Sequence, residues 1–328
     1  MKKTQFAKVA VGMALLAASS MAVASVIGTH HDFTRDHMGR NTGHGTGGQQ
    51  TSDTTEICVF CHTPHGANAS SSNGPLWNRN FTTVDASTGY QRFSSLNRWS
   101  FDAQEAPVGQ VSLACLSCHD GTQAVSSIIN TAGSDTSGGY AMSEFDRMSS
   151  LASPDGQIGS ASRGTGMGDM IYIGTDLRND HPISMQYGGG GVNSGSPTGP
   201  TTDRDFAKAL GTTGLETGAY GIAAAGNPGA GNTDNGAVTG SATGTLVYDT
   251  NGPTTAASTY RWWIDTGTQG YQGTDLKLYT RLDVSGSGGA QPTVECGTCH
   301  DPHSGNPLFL RLPNGNRQSQ VCLTCHAK

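Results

Sequence analysis

Apolar residues in this chain come in short runs, separated by long polar and glycine-rich stretches. The first run, residues 9–18, follows Lys2, Lys3 and Lys8 and leads to Ala22-Val23-Ala24. A basic end, an apolar centre and a small-residue cleavage site predict a secretory signal peptide over residues 1–24. That run is too short and too rich in alanine to span a bilayer, and no later run resembles a span. Further on, the pattern predicts strands at residues 170–173 and 276–284. It also predicts a strand pair at 245–248 and 260–264, turning around Asn251-Gly252. A short helix is expected at 122–129 and one or two helical turns at 206–210. Between 188 and 257, 17 of 70 positions are glycine, beginning with four in a row at Gly188. This predicts a surface insertion of short hairpins without its own core, removable over residues 192–250.

Composition sharpens the picture. Hydrophobic residues make up 34% of 328, which is thin for a conventional core and would otherwise read as disorder. Losing the three lysines of the signal peptide moves the formal charge from −6 to −9. An acidic surface argues against nucleic acid or an anionic membrane as partner.

The eight cysteines supply what the core lacks. They fall into four C-x-x-C-H motifs: Cys58/Cys61/His62, Cys115/Cys118/His119, Cys296/Cys299/His300 and Cys322/Cys325/His326. This is the attachment signal for c-type haem. Two thiols at i and i+3 can form thioethers with one porphyrin, and the adjacent imidazole meets the iron from the same side. The competing reading is structural zinc, but zinc ribbons separate their pairs by about 15–20 residues. The first two pairs here are much further apart, and zinc gives no reason for a histidine after each second cysteine. Four covalently bound haems c (heme c) are therefore expected, and four apolar macrocycles can replace missing core. The apoprotein should fold poorly.

Six-coordinate irons need four further ligands. The mature chain offers His30, His31, His37, His44, His65, His181 and His303 outside the motifs. His65 follows His62 by three residues and cannot wrap around the haem that His62 holds, so a neighbouring iron is its accessible target. The same reasoning applies to His303 after His300. Each C-H-x-P-H unit would then clamp two haems together. Methionine is the competing ligand type, with Met142, Met148, Met167, Met170 and Met185 available. All-histidine ligation is the simpler assignment and implies lower potentials. Tyr90, Phe93, Trp99, Phe101 and Trp77 are expected to pack on porphyrins.

Several stretches occur in a telling order: Cys58-Val-Phe-Cys-His-Thr-Pro-His65, Pro75-Leu-Trp-Asn-Arg79, Cys115-Leu-Ser-Cys-His-Asp-Gly121, Asp180-His-Pro182, Cys296-Gly-Thr-Cys-His-Asp-Pro-His303, Phe309-Leu-Arg311 and Cys322-Leu-Thr-Cys-His326. With these motifs the chain resembles the extracellular tetrahaem cytochromes of the OmcE type, which polymerise into haem-stacked filaments. The resemblance covers roughly residues 28–130, 176–187 and 290–328. It implies bis-histidine irons, with His65, His181 and His303 as distal ligands, plus His31 in His31-Asp32-Phe33. It also implies one axial histidine supplied across a subunit contact. His31, on a polar arm at 25–55, is the expected donor, with His30, His37 and His44 as fallbacks. A head-to-tail contact of that kind need not close and so generates filaments.

The expected fold class is mostly irregular coil with short helices and a few β-hairpins, a multihaem cytochrome c wrapped around a stack of four haems. The signal peptide and arm precede a segment for haems 1 and 2 (56–130), a loop-rich region (131–258) and a segment for haems 3 and 4 (259–328). The expected function is electron transfer in a secreted, cell-surface filament, without a transmembrane segment, passing electrons to redox proteins or extracellular acceptors. A monomeric periplasmic shuttle is the alternative. A multihaem reductase is a further one, but it would need an open iron position, and spare histidines exceed the distal positions.

Overall fold

The structure, a computed structural model, describes residues 26–34, 55–68, 75–81, 89–93, 102–123, 127–130, 172–196, 201–203, 205–207, 245–249, 261–266, 273–284 and 289–326. Among the described residues the regular elements are few. Five strands, β1 (Met185–Gln186), β2 (Thr245–Asp249), β3 (Arg261–Asp265), β4 (Leu276–Arg281) and β5 (Gln291–Val294), form one sheet in the order β1-β5-β4-β3-β2. Every pairing is antiparallel. Three helices, α1 (Gln110–His119), α2 (Cys296–Cys299) and α3 (Gln320–Cys325), each carry a C-x-x-C motif.

The expected pair at 245–248 and 260–264 is β2 against β3, in register from Thr245–Asp265 to Asp249–Arg261. β4 alternates buried Leu276 and Leu278 with exposed Lys277, as a half-buried strand should. It ends at Arg281, three residues short of expectation. β5 places Pro292 opposite Thr280, and the two-residue β1 answers only Thr293 and Val294. Proline, which cannot donate, is thus paired on one side.

Two apolar clusters pack around this frame. The larger joins Trp262, Ile264, Leu276 and Leu278 of the sheet to Leu310, Leu312 and Val321 near α3. The smaller joins Val108 and Leu116 to Leu177. Fully burying a tryptophan removes about 150–250 Å² from water, so Trp262 and Trp263, both nearly inaccessible, anchor β3.

Several expectations require correction. Residues 122–129 do not form a helix where described. The Asp120 carboxylate accepts from the Thr122 N–H at 2.8 Å and its hydroxyl at 2.9 Å, and Gly121 takes a left-handed φ of 73°, which turns the chain. Tyr172 and Ile173, the described part of the expected strand, belong to no strand among the described residues; the Ile173 N–H donates to the His119 carbonyl at 2.8 Å. Phe206 lies extended, bridged to His326, rather than in a helical turn. The insertion is not wholly superficial. Val192 near its start is buried in the larger cluster, and β2 near its end belongs to the sheet. The signal peptide, His37, His44, Trp99, Phe101, Asn251-Gly252 and residues 208–244 lie outside the described residues.

Candidate haem-attachment and ligation sites

Each motif is one helical turn. The His62 N–H returns to the Cys58 carbonyl at 2.8 Å, His300 to Cys296 at 3.1 Å and His326 to Cys322 at 2.8 Å. In the second motif the same turn closes α1. Residues i, i+3 and i+4 share a helix face, so each turn presents two thiols and an imidazole to one side. Cys58, Cys61 and Cys322 are exposed, and the other five are partly exposed. Thiols of successive motifs are neighbours: Cys61 with Cys118, Cys115 with Cys296, and Cys299 with Cys322. The Cys115 and Cys296 thiols lie against each other, which raises the pKa of the first and lowers that of the second. The four attachment points therefore follow one another in chain order.

A buried carboxylate holds the junction of the second and third motifs. Glu295 accepts from Ser112 on α1, from Ser184 at 3.0 Å and from Arg281 at 3.0 Å. It also caps α2, with Thr298 answering in a reciprocal capping box. Ser112 accepts from the Cys296 N–H at 3.0 Å, tying α1 directly to the third motif. A Cβ at Gly109 would displace the ends of the Glu295 and Arg281 side chains. Burial pushes the Glu295 carboxyl up, although its donors and Arg281 act in the opposite direction.

Three motif histidines face three of the expected distal histidines. Ring centroids are 6.2 Å apart for His62 and His303, 6.2 Å for His119 and His31, and 6.5 Å for His326 and His181. Two imidazoles ligating one metal from opposite sides hold their centroids roughly 6 Å apart, from a metal–nitrogen bond of about 2 Å and about 1 Å more to each ring centre. The residues present therefore fit haem iron. Hydrogen bonding agrees: His181 Nδ1 lies 3.0 Å from the Pro182 carbonyl and His300 Nδ1 2.9 Å from that of Leu308. A bond from Nδ1 leaves Nε2 for a metal. His303 Nδ1 meets the Asp301 carboxylate at 3.2 Å, which raises the His303 pKa.

His31 is the most enclosed of these. Its ring stacks on Phe309 at 4.3 Å, and its Nδ1 is buried without a hydrogen-bond partner among the described residues. Burial first, then neighbouring His119, pushes it down to about 4, against a hydrogen bond to the Pro302 backbone that acts the other way. Asp32 fixes this turn by accepting from Gly28 and Thr34. His31 was expected to reach a neighbouring subunit. Within the chain it stacks on Phe309 and lies beside His119.

His65 and His300 are both exposed, and neither has a ring partner like the other three pairs among the described residues. Sequence reasoning gave no role to three supporting groups: Phe309 behind His31, Phe206 against His326 at 4.4 Å, and Asp301 on His303. Asp301 and Phe309 lie inside quoted motifs, whereas Phe206 carries no local signal. Trp77, expected on a porphyrin, stacks on His62 at 5.0 Å.

Among the described residues no three His, Cys, Asp or Glu side chains converge on one ion position, and no helix is long and apolar enough to cross a membrane. Residues 291–328 match the family model described as the doubled CXXCH motif. That match indicates a multihaem c-type cytochrome with covalently bound haem c. No curated protein matches the chain.

Proposed function

We propose that this chain carries electrons through four covalently attached bis-histidine haems c, as the secreted subunit of an extracellular filament. The observation that carries the reading is the set of three imidazole pairs at 6.2–6.5 Å, each joining a motif histidine to one from elsewhere in the chain. His303 would serve the haem held by His62, His31 that of His119, and His181 that of His326. When bound, haem c supplies a one-electron iron couple whose potential follows its axial ligands and their hydrogen bonds. The chain's own part is to hold the imidazoles in opposed pairs and to keep successive attachment points adjacent. Asp301, in contact with His303, would make it a more basic ligand and so favour the oxidised state of a bound iron. With an imidazole on either side of the iron, the three paired sites would offer no position to a substrate, which supports a carrier over a reductase.

A monomeric periplasmic shuttle is a second reading, favoured by one observation: His31 is seated beside its own His119, so the bridging ligand expected from the arm is used within the chain. Pyridine haemochrome quantification should give four haems per chain, and electron paramagnetic resonance should give only low-spin iron. A high-spin population of about one haem in four would sink the bis-histidine reading. Electron microscopy of secreted material separates the two assemblies: fibres support the filament, and monodisperse particles support the shuttle.

A further inference from the structure

Two parts of the chain repeat one pattern. Cys58-x-x-Cys61-His62-Thr-Pro-His65 is followed by Pro75-Leu76-Trp77-Asn78-Arg79 and then by Cys115-Leu-Ser-Cys118-His119. Cys296-x-x-Cys299-His300-Asp-Pro-His303 is followed by Pro307-Leu308-Phe309-Leu310-Arg311 and then by Cys322-Leu-Thr-Cys325-His326. The family model covers only the second stretch.

The backbone repeats as well. His62 bridges to Trp77 and His300 to Leu310, both antiparallel. The Thr63 N–H donates to the Leu76 carbonyl at 2.9 Å, and Asp301 to Phe309 at 2.7 Å. The Asn78 N–H donates to Cys61 at 2.8 Å, and Arg311 to Cys299 at 2.9 Å. One residue more separates proline from the bridge in the second copy, where Leu308 and Phe309 both take left-handed φ, 55° and 56°, to absorb it. With that offset, Asn78 corresponds to Arg311, and their side chains do the same thing. Asn78 Nδ2 donates to the Val59 carbonyl at 2.6 Å, and Arg311 Nε donates to the Gly297 carbonyl at 2.9 Å. Val59 and Gly297 are the same position, the residue after the first cysteine of each motif. Both first-motif histidines also bond backbone near the paired proline, His62 at Pro75 and His300 at Leu308.

We infer that the chain is a duplicated doubled-C-x-x-C-H unit whose two copies exchange distal histidines, so that His65 serves the haem attached at Cys296 and Cys299. The inference rests on the four-haem reading above. In a two-fold contact, residue i of one copy meets residue j of the other, and j of the first meets i of the second. His303 of the second copy already faces His62 of the first at 6.2 Å with rings 19° from parallel. Exchanging the copies turns that relation into His65 facing His300. Among the eight expected ligands, these are also the two left once the other three pairs are made.

The test uses the haem-loaded protein. His65→Ala should retain four haems by pyridine haemochrome and show high-spin iron amounting to one haem in four. In a Cys296→Ser/Cys299→Ser background, which carries three haems, adding His65→Ala should produce no high-spin iron. Retained low-spin iron in the single variant would overturn the pairing, as would new high-spin iron in the three-haem background. Should the three-haem background not accumulate, His65→Met in the intact chain decides: one of four potentials must rise, since methionine ligation raises potential, and four unchanged potentials refute the assignment. A wild-type haem count other than four would instead defeat the functional reading on which the pairing stands.

Discussion

Glu295→Ala tests whether one buried carboxylate holds the second and third motifs together. Glu295 is 2% exposed, and its acceptors serve Ser112, Ser184 and Arg281. Truncation leaves the two serine hydroxyls without this acceptor. Arg281 keeps the Asp283 carboxylate and the Pro107 carbonyl. Removing one partner of a buried ion pair costs about 3–5 kcal/mol. Because Arg281 retains two acceptors, the low end applies, about 3 kcal/mol, or more than a hundredfold in the unfolding constant. Guanidinium titration of haem-loaded protein, followed by loss of the low-spin absorption spectrum, measures it. The pH dependence has a definite sign. Burial raises the folded carboxyl above 4.5, so the folded protein binds this proton more tightly than the unfolded chain. The ionisation penalty is absent well below pH 4.5 and grows as pH rises through the folded value. Glu295→Gln cannot ionise, and its amide donors meet the serine donors, so it should start below wild type in acid and close the gap as pH rises. Stability of Glu295→Ala within about 0.5 kcal/mol of wild type would refute the reasoning. So would a Glu295→Gln difference that stays flat from about pH 4 to about pH 8.

His31→Ala should keep four attached haems and turn one of them high-spin in the isolated chain, read by paramagnetic resonance; unchanged low-spin spectra would remove His31 from the ligand set. Asp301→Asn takes the carboxylate from His303 and weakens that ligand's basicity, so one haem potential should rise in a spectroelectrochemical titration while the other three hold. Deleting residues 192–250 removes buried Val192 and the whole of β2, and should lower the yield of haem-loaded protein severely. The milder Val192→Ala should cost about 1–2 kcal/mol in guanidinium melting, and no loss from either change would return this stretch to a dispensable surface role.

The haem chemistry was legible in the sequence because it is local. C-x-x-C-H places three reacting groups within five residues, and one helical turn suffices to align them, whatever the rest of the chain does. The β2–β3 pair was legible for the same reason, because its two strands lie close together in the chain. It misled at 122–129, where apolar residues suggested a helix but Asp120 captures Thr122 and Gly121 turns left-handed. The glycine-rich stretch misled too. Composition averages over 70 positions, whereas burial is decided singly: Val192 belongs to a cluster built mainly from residues 262–321, and β2 is held by β3.

Which imidazole opposes which was not legible. His31 and His119 are separated by most of the first segment, His62 and His303 by most of the chain, and only packing sets those distances. The arm is the clearest case. Its histidines and low apolar content made a reach to another subunit plausible, because sequence shows a chain's length and not the surface it meets. The tertiary structure supplies that surface, Phe309, carried to His31 by a turn at Leu308 and Phe309 that no local pattern announces. Covalent attachment is a property of neighbouring residues and can be read along the chain. Ligand exchange between distant segments depends on where long-range packing brings them, and that is decided only when the chain is folded.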